Sequence, residues 1–343
     1  MKLIWHEHDL LEEDWLRHLF GDLIEVEKMD LDLRCFDDDC IHVVSSNRAP
    51  LATYTKYFAD CRARCQRMIL VHVSDEWFSG EYKLYEYFDL VIRHYHTYLA
   101  DHPGIITVPL GYPNATGTSR KLADQRRYAW SFIGEIKSSR IAMAAAFKDF
   151  APQFMLTTDP LSDPTGGCVR LSKVEFDRVL GETVFLPCPM GNAIMDTWRA
   201  YEGLELGCIP ILELRPSLDY YTNLFGRNPL PAFHNWSTAR RFAEEMLKNP
   251  PALLRLQAEI CDWWEGHKAR ICVQVREAIN GPSRASDLQH YGAMLRNRIA
   301  IVHQPLRIAE LLRHQTKSSL LRRLARPGRP LKRIVRDTIP MVR

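Results

Sequence analysis

The sequence predicts an α/β fold of two domains, each built on a parallel sheet, and three observations carry that prediction. Short apolar runs alternate with amphipathic stretches from the first residues onward, and the runs lack the in-and-out pattern of a sheet with one wet face. The alternation stops at Gly111 to Arg127, GYPNATGTSRKLADQRR, where Gly, Pro, Ser and charge occur without periodicity, and it resumes at Trp130. A length of 343 residues exceeds what one ordinary core accommodates and suits two.

In the first half, strands are expected at Lys2 to Trp5, Leu23 to Val26, Ile41 to Ser45, Met68 to Ser74, Leu90 to Arg93 and Ile105 to Pro109. Between several of them, Leu10 to Phe20, Leu51 to Gln66 and Glu81 to Phe88 read as helices. This defines a first domain over 1–115 and a linker over 116–127. A second domain over 128–265 repeats the rhythm: a strand to Gly134, a helix Ser139 to Phe150, a strand Phe154 to Thr158, a helix Ser172 to Leu180 and a strand from Thr183. Beyond Pro231 the pattern turns helical at Thr238 to Lys248, Pro251 to Trp264 and Glu265 to Ile279. Residues 266–312 are expected to brace the fold by returning toward the first domain.

Phe185 to Glu213, FLPCPMGNAIMDTWRAYEGLELGCIPILE, is the most informative stretch. Pro187, Pro189 and Gly191 should stop the strand abruptly, which puts Gly191 and Asn192 at a strand's carboxyl end, where open α/β sheets bind ligands. Ile194, Trp198, Tyr201, Leu204 and Glu205 recur at helical spacing, with Asp196 or Thr197 as the cap. Arg199 and Glu202, three apart, then share a helix face. A guanidinium there can fork onto a phosphate, and a carboxylate can accept two hydrogen bonds from a ribose diol. The opposing reading, a simple surface ion pair, has equal weight on spacing alone. Gly207 closes the helix and Cys208 to Leu212 forms the next buried strand.

Composition excludes several classes. With 46% hydrophobic and 25% charged residues the chain is globular rather than disordered, and no apolar run is long enough to span a bilayer. MKLIWHEHDL lacks the apolar core of a signal peptide, so a cytoplasmic location is expected. Nine scattered cysteines without a CxxC pair are expected to be reduced and mostly buried. Cys61 and Cys65 have no second ligand pair nearby to make a metal site. The net charge of +3 hides a basic tail, because residues 313–343 hold ten Lys or Arg and one acid. Leu320, Leu321, Leu324, Leu331, Ile334 and Val335 interleave with those cations, which suits a peripheral contact with an anionic membrane surface at its inner face. A nucleic-acid arm would carry fewer aliphatics, so no nucleic-acid partner is expected. A solvated tail accounts for the composition equally well.

The run PMGNAIMDTWRAYEGLELGCIPIL resembles the signature of the exostosin-like glycosyltransferases: a proline-glycine turn, an Arg, a Glu in an EGL context, then GCIPI. WSFIGEIKSSR, Trp130 to Arg140, resembles the family's F-x-G strand, turn and Arg-bearing helix. LVHVSDEWF followed by LVIRHYHTYL is similar to bacterial members and to the animal ribitol xylosyltransferase relatives. These matches span roughly residues 68 to 213 and leave both ends of the chain uncovered.

The resemblance implies the GT-B architecture, two Rossmann-like domains facing across a cleft, here with a helical C-terminal extension. It implies a glycosyltransferase that moves a sugar, with inversion, from a nucleoside diphosphate, UDP foremost, to a glycan or lipid-linked glycan in surface polysaccharide synthesis. The second domain would hold the donor through Gly134, Ser139, Arg140, Gly191 and Asn192, with Asp196 and Thr197 at the helix start, Arg199 on the diphosphate and Glu202 on the ribose. The first would supply a general base, with Asp75 or Glu76 the leading candidates and Glu7, between His6 and His8, the next. Trp77 is placed to stack on a sugar, while His72, Arg93 and His94 sit at strand ends that line the cleft.

No DxD motif stands where such an enzyme would chelate manganese, and Asp37 to Asp39 read as a solvated turn. A helix amino end and Arg can replace a metal at the leaving diphosphate, so neither a metal nor a cofactor is expected. Two other classes fit the same cleft: a non-catalytic GT-B scaffold, and another nucleotide-sugar enzyme such as an epimerase or phosphotransferase.

Overall fold

The computed structural model describes residues 1–6, 11–21, 25–28, 39–45, 54–80, 82–158, 171–215 and 219–303. Its first sheet comprises β1 (Lys2–Trp5), β2 (Glu25–Lys28), β3 (Cys40–Ser45), β4 (Met68–Val73), β5 (Leu90–Arg93) and β6 (Ile105–Thr107). They lie in the order β2-β1-β3-β4-β5-β6, every neighbouring pair parallel. β3, β4 and β5 are buried along their whole length, which is why they appear in the sequence as continuous apolar runs. β2, EVEK, begins two residues later than the apolar pattern suggests, because it is an edge strand and charge suits an edge.

The second sheet holds β7 (Tyr128–Gly134), β8 (Gln153–Thr157), β9 (Thr183–Cys188), β10 (Ile209–Glu213) and β11 (Ala232–Phe233), ordered β11-β10-β9-β7-β8 and again wholly parallel. β9 runs on through Pro187, against the expected stop at Leu186. Pairing with β7 reaches only Phe185, whereas β10 continues alongside, Ile211 opposite Pro187. A proline without an N–H is thus carried where the strand has a partner on one side only. The chain is therefore α/β with two parallel-sheet domains, as the GT-B expectation requires.

Around the first sheet lie α1 (Glu13–Phe20) and α2 (Thr55–Arg62). The expected helix Glu81 to Phe88 is instead a 3-10 turn over Tyr82–Tyr87, in which the buried Tyr82 and Tyr85, three residues apart, eclipse. The second sheet is flanked by α3 (Ser139–Phe147), α4 (Lys173–Gly181), α5 (Trp198–Glu205), α6 (Tyr220–Phe225) and α7 (Trp236–Leu247). Ser172 and Glu175 close a capping box at the start of α4.

The expected pair of helices from Pro251 to Ile279 is one helix, α8 (Pro250–Asn280), followed by α9 (Ala285–Leu288) and α10 (Tyr291–Val302). Asn249 caps α8 and prolines fill its first turn, while Gly266, the residue that would weaken it, does not interrupt the ladder. α8 spans both domains. Gln257 donates to the Gly207 carbonyl of the second domain at 2.7 Å. Farther along, Trp264 stacks on Trp15 with centroids 6.1 Å apart, and Arg67 of the first domain donates to the Gly281 carbonyl just past the helix end at 2.6 Å. α8 and the residue that follows it thus contact both halves of the chain.

The linker is tightly seated. Gly111, at φ +71°, lies so close to Trp15 that a Cβ would come within 2.3 Å of the indole. From Gly117 onward it is held by the second domain, with the Gly117 amide donating to Asp177 at 2.9 Å and the buried Arg126 donating to the carbonyls of Thr183 and Leu206.

Histidines interrupt the apolar interior of the first domain. His6 and His42 meet at 3.0 Å, and His72 shares a hydrogen bond with the Tyr85 hydroxyl at 2.7 Å. Burial drives His6 down to about 3, His72 to about 4 and His94 to about 3, and lowers His42 as well. These depressed values mean that the unfolded chain binds protons the fold refuses. The stabilisation is complete above about pH 6.5 and is lost as pH falls from there toward about 3. Urea unfolding should show stability dropping by about 1.4 kcal/mol per pH unit for each such histidine below about pH 6. The His6→Leu, His42→Phe double variant should flatten that slope, and an unchanged slope would refute the assignment.

Candidate functional site

The second sheet reverses direction at β7: the chain passes from β7 to β8 on one side, then returns to β9 on the other. Such a switch point leaves a crevice outside the carboxyl ends of the two strands, and it is here that Gly134, ending β7, and Met190 to Asn192, following β9, come together. Two guanidinium groups enter the crevice. Arg199, on the first turn of α5, donates to the Ile133 carbonyl at 2.9 Å and lies 4.3 Å over the Phe132 ring. Arg140, on α3, donates to the carbonyls of Glu135 at 3.1 Å and Met190 at 3.4 Å.

Neither arginine forms an ion pair with a carboxylate among the described residues. Burial, reinforced by the neighbouring Arg140 charge, lowers Arg199 to about 10, and burial lowers Arg140 also. Two neighbouring, half-buried guanidinium groups that meet no carboxylate are chemically able to receive an anion. Gly134 makes the approach possible, since a Cβ there would sit 3.0 Å from the Arg199 Nη2. Lys137 adds a third cation, bound to Glu135 at 2.5 Å and to the Asn192 side-chain oxygen at 2.8 Å.

Buried hydroxyls border the crevice. Ser139 opens α3 directly after Ser138, whose φ of +49° is strained for a residue with a side chain. The Oγ of Ser139 and the Oγ1 of Thr197 are buried without a hydrogen-bond partner in the described structure. Thr197 is the N-cap residue of α5, yet its side chain does not cap the helix. Asp196, the alternative cap, is directed elsewhere. Its carboxylate accepts from Tyr201 at 2.6 Å, Tyr220 at 3.3 Å and the Leu110 amide at 3.4 Å. Burial pushes it up to about 6 while those donors pull it back. Asp196 is therefore a joint between the domains rather than a cap.

Glu202 is buried one turn beyond Arg199 and pairs with Lys173 of α4 at 3.4 Å, with burial raising its pKa. Its partner is thus Lys173, not Arg199, contrary to the surface-pair alternative. The next carboxylate on α5, Glu205, accepts from Trp264 and Lys268 of α8, each at 2.8 Å, and ties the helix to the brace.

The first-domain candidates separate sharply. Asp75 is 1% exposed and faces inward: one oxygen accepts from the amides of Ser79 and Gly80, the other from the Tyr82 hydroxyl and from Arg93 at 3.3 Å. Enclosed and saturated, it cannot reach an acceptor hydroxyl, so the general-base expectation for Asp75 is corrected to a loop anchor. Arg93 is likewise interior, held by Asp75 and between the Phe78 and Tyr82 rings, and His72 and His94 are fully buried, so none of the three lines the crevice. Trp77 is half-buried and packs against the core. His6 is an interior histidine, and Glu7, His8, Asp37, Asp38 and the tail 313–343 lie outside the described residues.

Glu76 does reach across. Its Oε1 accepts from the Asn192 amide at 2.5 Å and the Ala193 amide at 2.9 Å, and its Oε2 from the Asn192 side chain at 2.9 Å. This joins the carboxyl end of β4 to the turn after β9. Among the described residues no cluster of three or more His, Cys, Asp or Glu has metal-binding geometry, all seven described cysteines are free thiols, and no helix is long and apolar enough to cross a membrane.

Fold and site together define a two-domain α/β protein with two guanidinium groups at the switch point of its second sheet. No family model matches the chain, and no curated protein matches it. Among solved structures, one titled "Crystal Structure of TarM" aligns at 12% identity with a TM-score of 0.38, over 78% of this chain and 57% of that one. The chain spans 57% of the length of the structure it matches.

The buried Asp75 and Arg93 pair predicts a structural phenotype. Asp75→Ala should cost about 3–5 kcal/mol of unfolding free energy by stranding the guanidinium. Chemical denaturation measures this, and an Asp75→Ala protein as stable as the parent but unable to turn over would restore Asp75 as the base.

Proposed function

We propose that the chain is a GT-B glycosyltransferase of exostosin-like character, which moves a sugar from a nucleoside diphosphate, UDP foremost, to a glycan or lipid-linked glycan with inversion. The observation that carries this reading is the pair of arginines, Arg140 and Arg199, that meet backbone carbonyls but no carboxylate at the switch point beside Gly134 and the Gly191 turn. A diphosphate is the ligand whose charge and size suit two converging guanidinium groups. Glu202, buried on the same helix, is the candidate for the ribose hydroxyls, with Lys173 holding it in place.

In the reaction the acceptor oxygen attacks the anomeric carbon, the bond from that carbon to the diphosphate breaks, and the nucleoside diphosphate leaves with the electron pair. Arg140 and Arg199 offset the growing charge, a role that a divalent metal plays in other transferases. The hydroxyl proton passes to a carboxylate of the first domain. Glu76 is the described carboxylate that reaches the seam between the domains, and it is assigned that role. Bacterial surface polysaccharide synthesis suits this chemistry, with the basic tail as a contact to an anionic inner leaflet.

The test is thermal denaturation of the full chain against UDP, GDP, CMP and TDP sugars. At ligand about 100-fold above Kd, a UDP-sugar should add about 2.7 kcal/mol, a rise of several degrees. Arg199→Ala and Glu202→Ala should each abolish that rise. If no nucleotide stabilises the protein, the donor reading fails. Turnover should persist in chelator, and activity that vanishes there and returns with manganese would overturn metal independence.

A further inference from the structure

The turn that follows β9 already holds an anion. Gly191 donates to the Ile194 carbonyl at 2.8 Å, which closes the turn and leaves the amides of Asn192 and Ala193 pointing outward with the Asn192 side-chain amide beside them. Three N–H groups converging on one carboxylate form a concave nest of the kind that binds phosphate. Lys137 orients the third donor by binding the Asn192 oxygen at 2.8 Å, and Arg140, donating to Met190 at the foot of the turn, feels the Glu76 charge. The contact is close, because a Cβ on Gly191 would stand 2.7 Å from the Glu76 Oε1 and would push that carboxylate aside.

The occupant is not part of the second domain. Glu76 lies two residues beyond Ser74, where the chain leaves β4 in a left-handed conformation at φ +57°. That strained exit aims the glutamate across the seam at a nest beside two arginines that have no carboxylate partner among the described residues.

We propose that Glu76 is an internal stand-in for a substrate phosphate: its carboxylate fills the Gly191–Ala193 nest in the unliganded protein, and a phosphate oxyanion of the donor displaces it. The inference rests on the donor reading given above and adds to it a second anion subsite and a competitor built into the partner domain. Donor binding then releases Glu76 from the second domain, so that arrival of the phosphate frees the carboxylate.

A competitor that fills a seat most of the time weakens the apparent affinity of any ligand by the fraction of time the seat is free. Calorimetric titration of the full chain with inorganic pyrophosphate, at fixed ionic strength, should therefore show Glu76→Ala binding about 10-fold more tightly than the parent. Glu76→Gln, which keeps the size and loses the charge, should also bind more tightly. Glu86→Gln removes the same charge from an exposed site on the neighbouring turn and should change affinity by less than about 2-fold, which separates displacement from net charge. Asn192→Ala in the Glu76→Ala background should cancel the gain.

Equal or weaker pyrophosphate binding by both Glu76 variants overturns the inference, as does a gain matched by Glu86→Gln. If nucleotide sugars bind the parent while the Glu76 variants gain nothing, the inference falls and the donor reading stands. If pyrophosphate binding tightens while no nucleotide binds, the nest stands and the donor reading falls.

Discussion

The seating of the two domains depends on one buried carboxylate. Asp196 collects the Tyr201 hydroxyl from α5, the Tyr220 hydroxyl from α6 and the Leu110 amide from the chain that leaves the first domain. Tyr220 in turn accepts from the His96 amide at 3.2 Å, at the carboxyl end of β5. A single charged group thus links the start of α5, on which Arg199 rides, to the exits of both sheets. Burying a carboxylate is expensive, and three donors from separate elements offset the cost only when all are in place. The contact therefore specifies a relative placement of the domains, which apolar packing alone would leave free to slide.

Against that joint, the site is defined by an imbalance between two arginines. Arg93 and Arg199 are both desolvated, and both lie over aromatic rings. Arg93 is answered by Asp75 at 3.3 Å and belongs to the interior. Arg199 is answered by one backbone carbonyl and a ring, with Arg140 nearby making its charge costlier. A half-buried guanidinium that meets no carboxylate can be answered by an anionic ligand. The same reasoning separates the adjacent residues Asp75 and Glu76: the first is saturated by its own loop, while the second extends to a neighbouring domain.

Backbone strain marks the same seam. Ser74, Tyr95 and Ser138 all take left-handed φ values, of 57°, 62° and 49°, shortly after β4, β5 and β7. Each costs free energy that surrounding packing must hold, and each redirects the chain as it leaves a carboxyl edge. Ser74 is tied by its hydroxyl to the buried Glu12 at 2.6 Å, so the strained exit ahead of Glu76 is anchored in the first domain.

The sequence by itself determined what depends on neighbours along the chain. Buried parallel strands such as Cys40 to Ser45 appear as unbroken apolar runs, helix faces follow a fixed period, and Gly191 and Gly134 announce themselves as turns at strand ends. That was enough for two parallel sheets and for the helix that carries Arg199 and Glu202. The bounds and edge position of β2, the continuity of α8 and the passage of β9 through Pro187 were not legible, because each is set by contacts with distant parts of the chain. Tertiary structure alone decided that Asp75 turns inward and Glu76 outward, that Glu202 pairs with Lys173, and that Asp196 joins Leu110, Tyr201 and Tyr220. Those contacts close between residues up to 116 positions apart, and a side chain's protonation and role are set by the charges and dielectric that such closure brings to it.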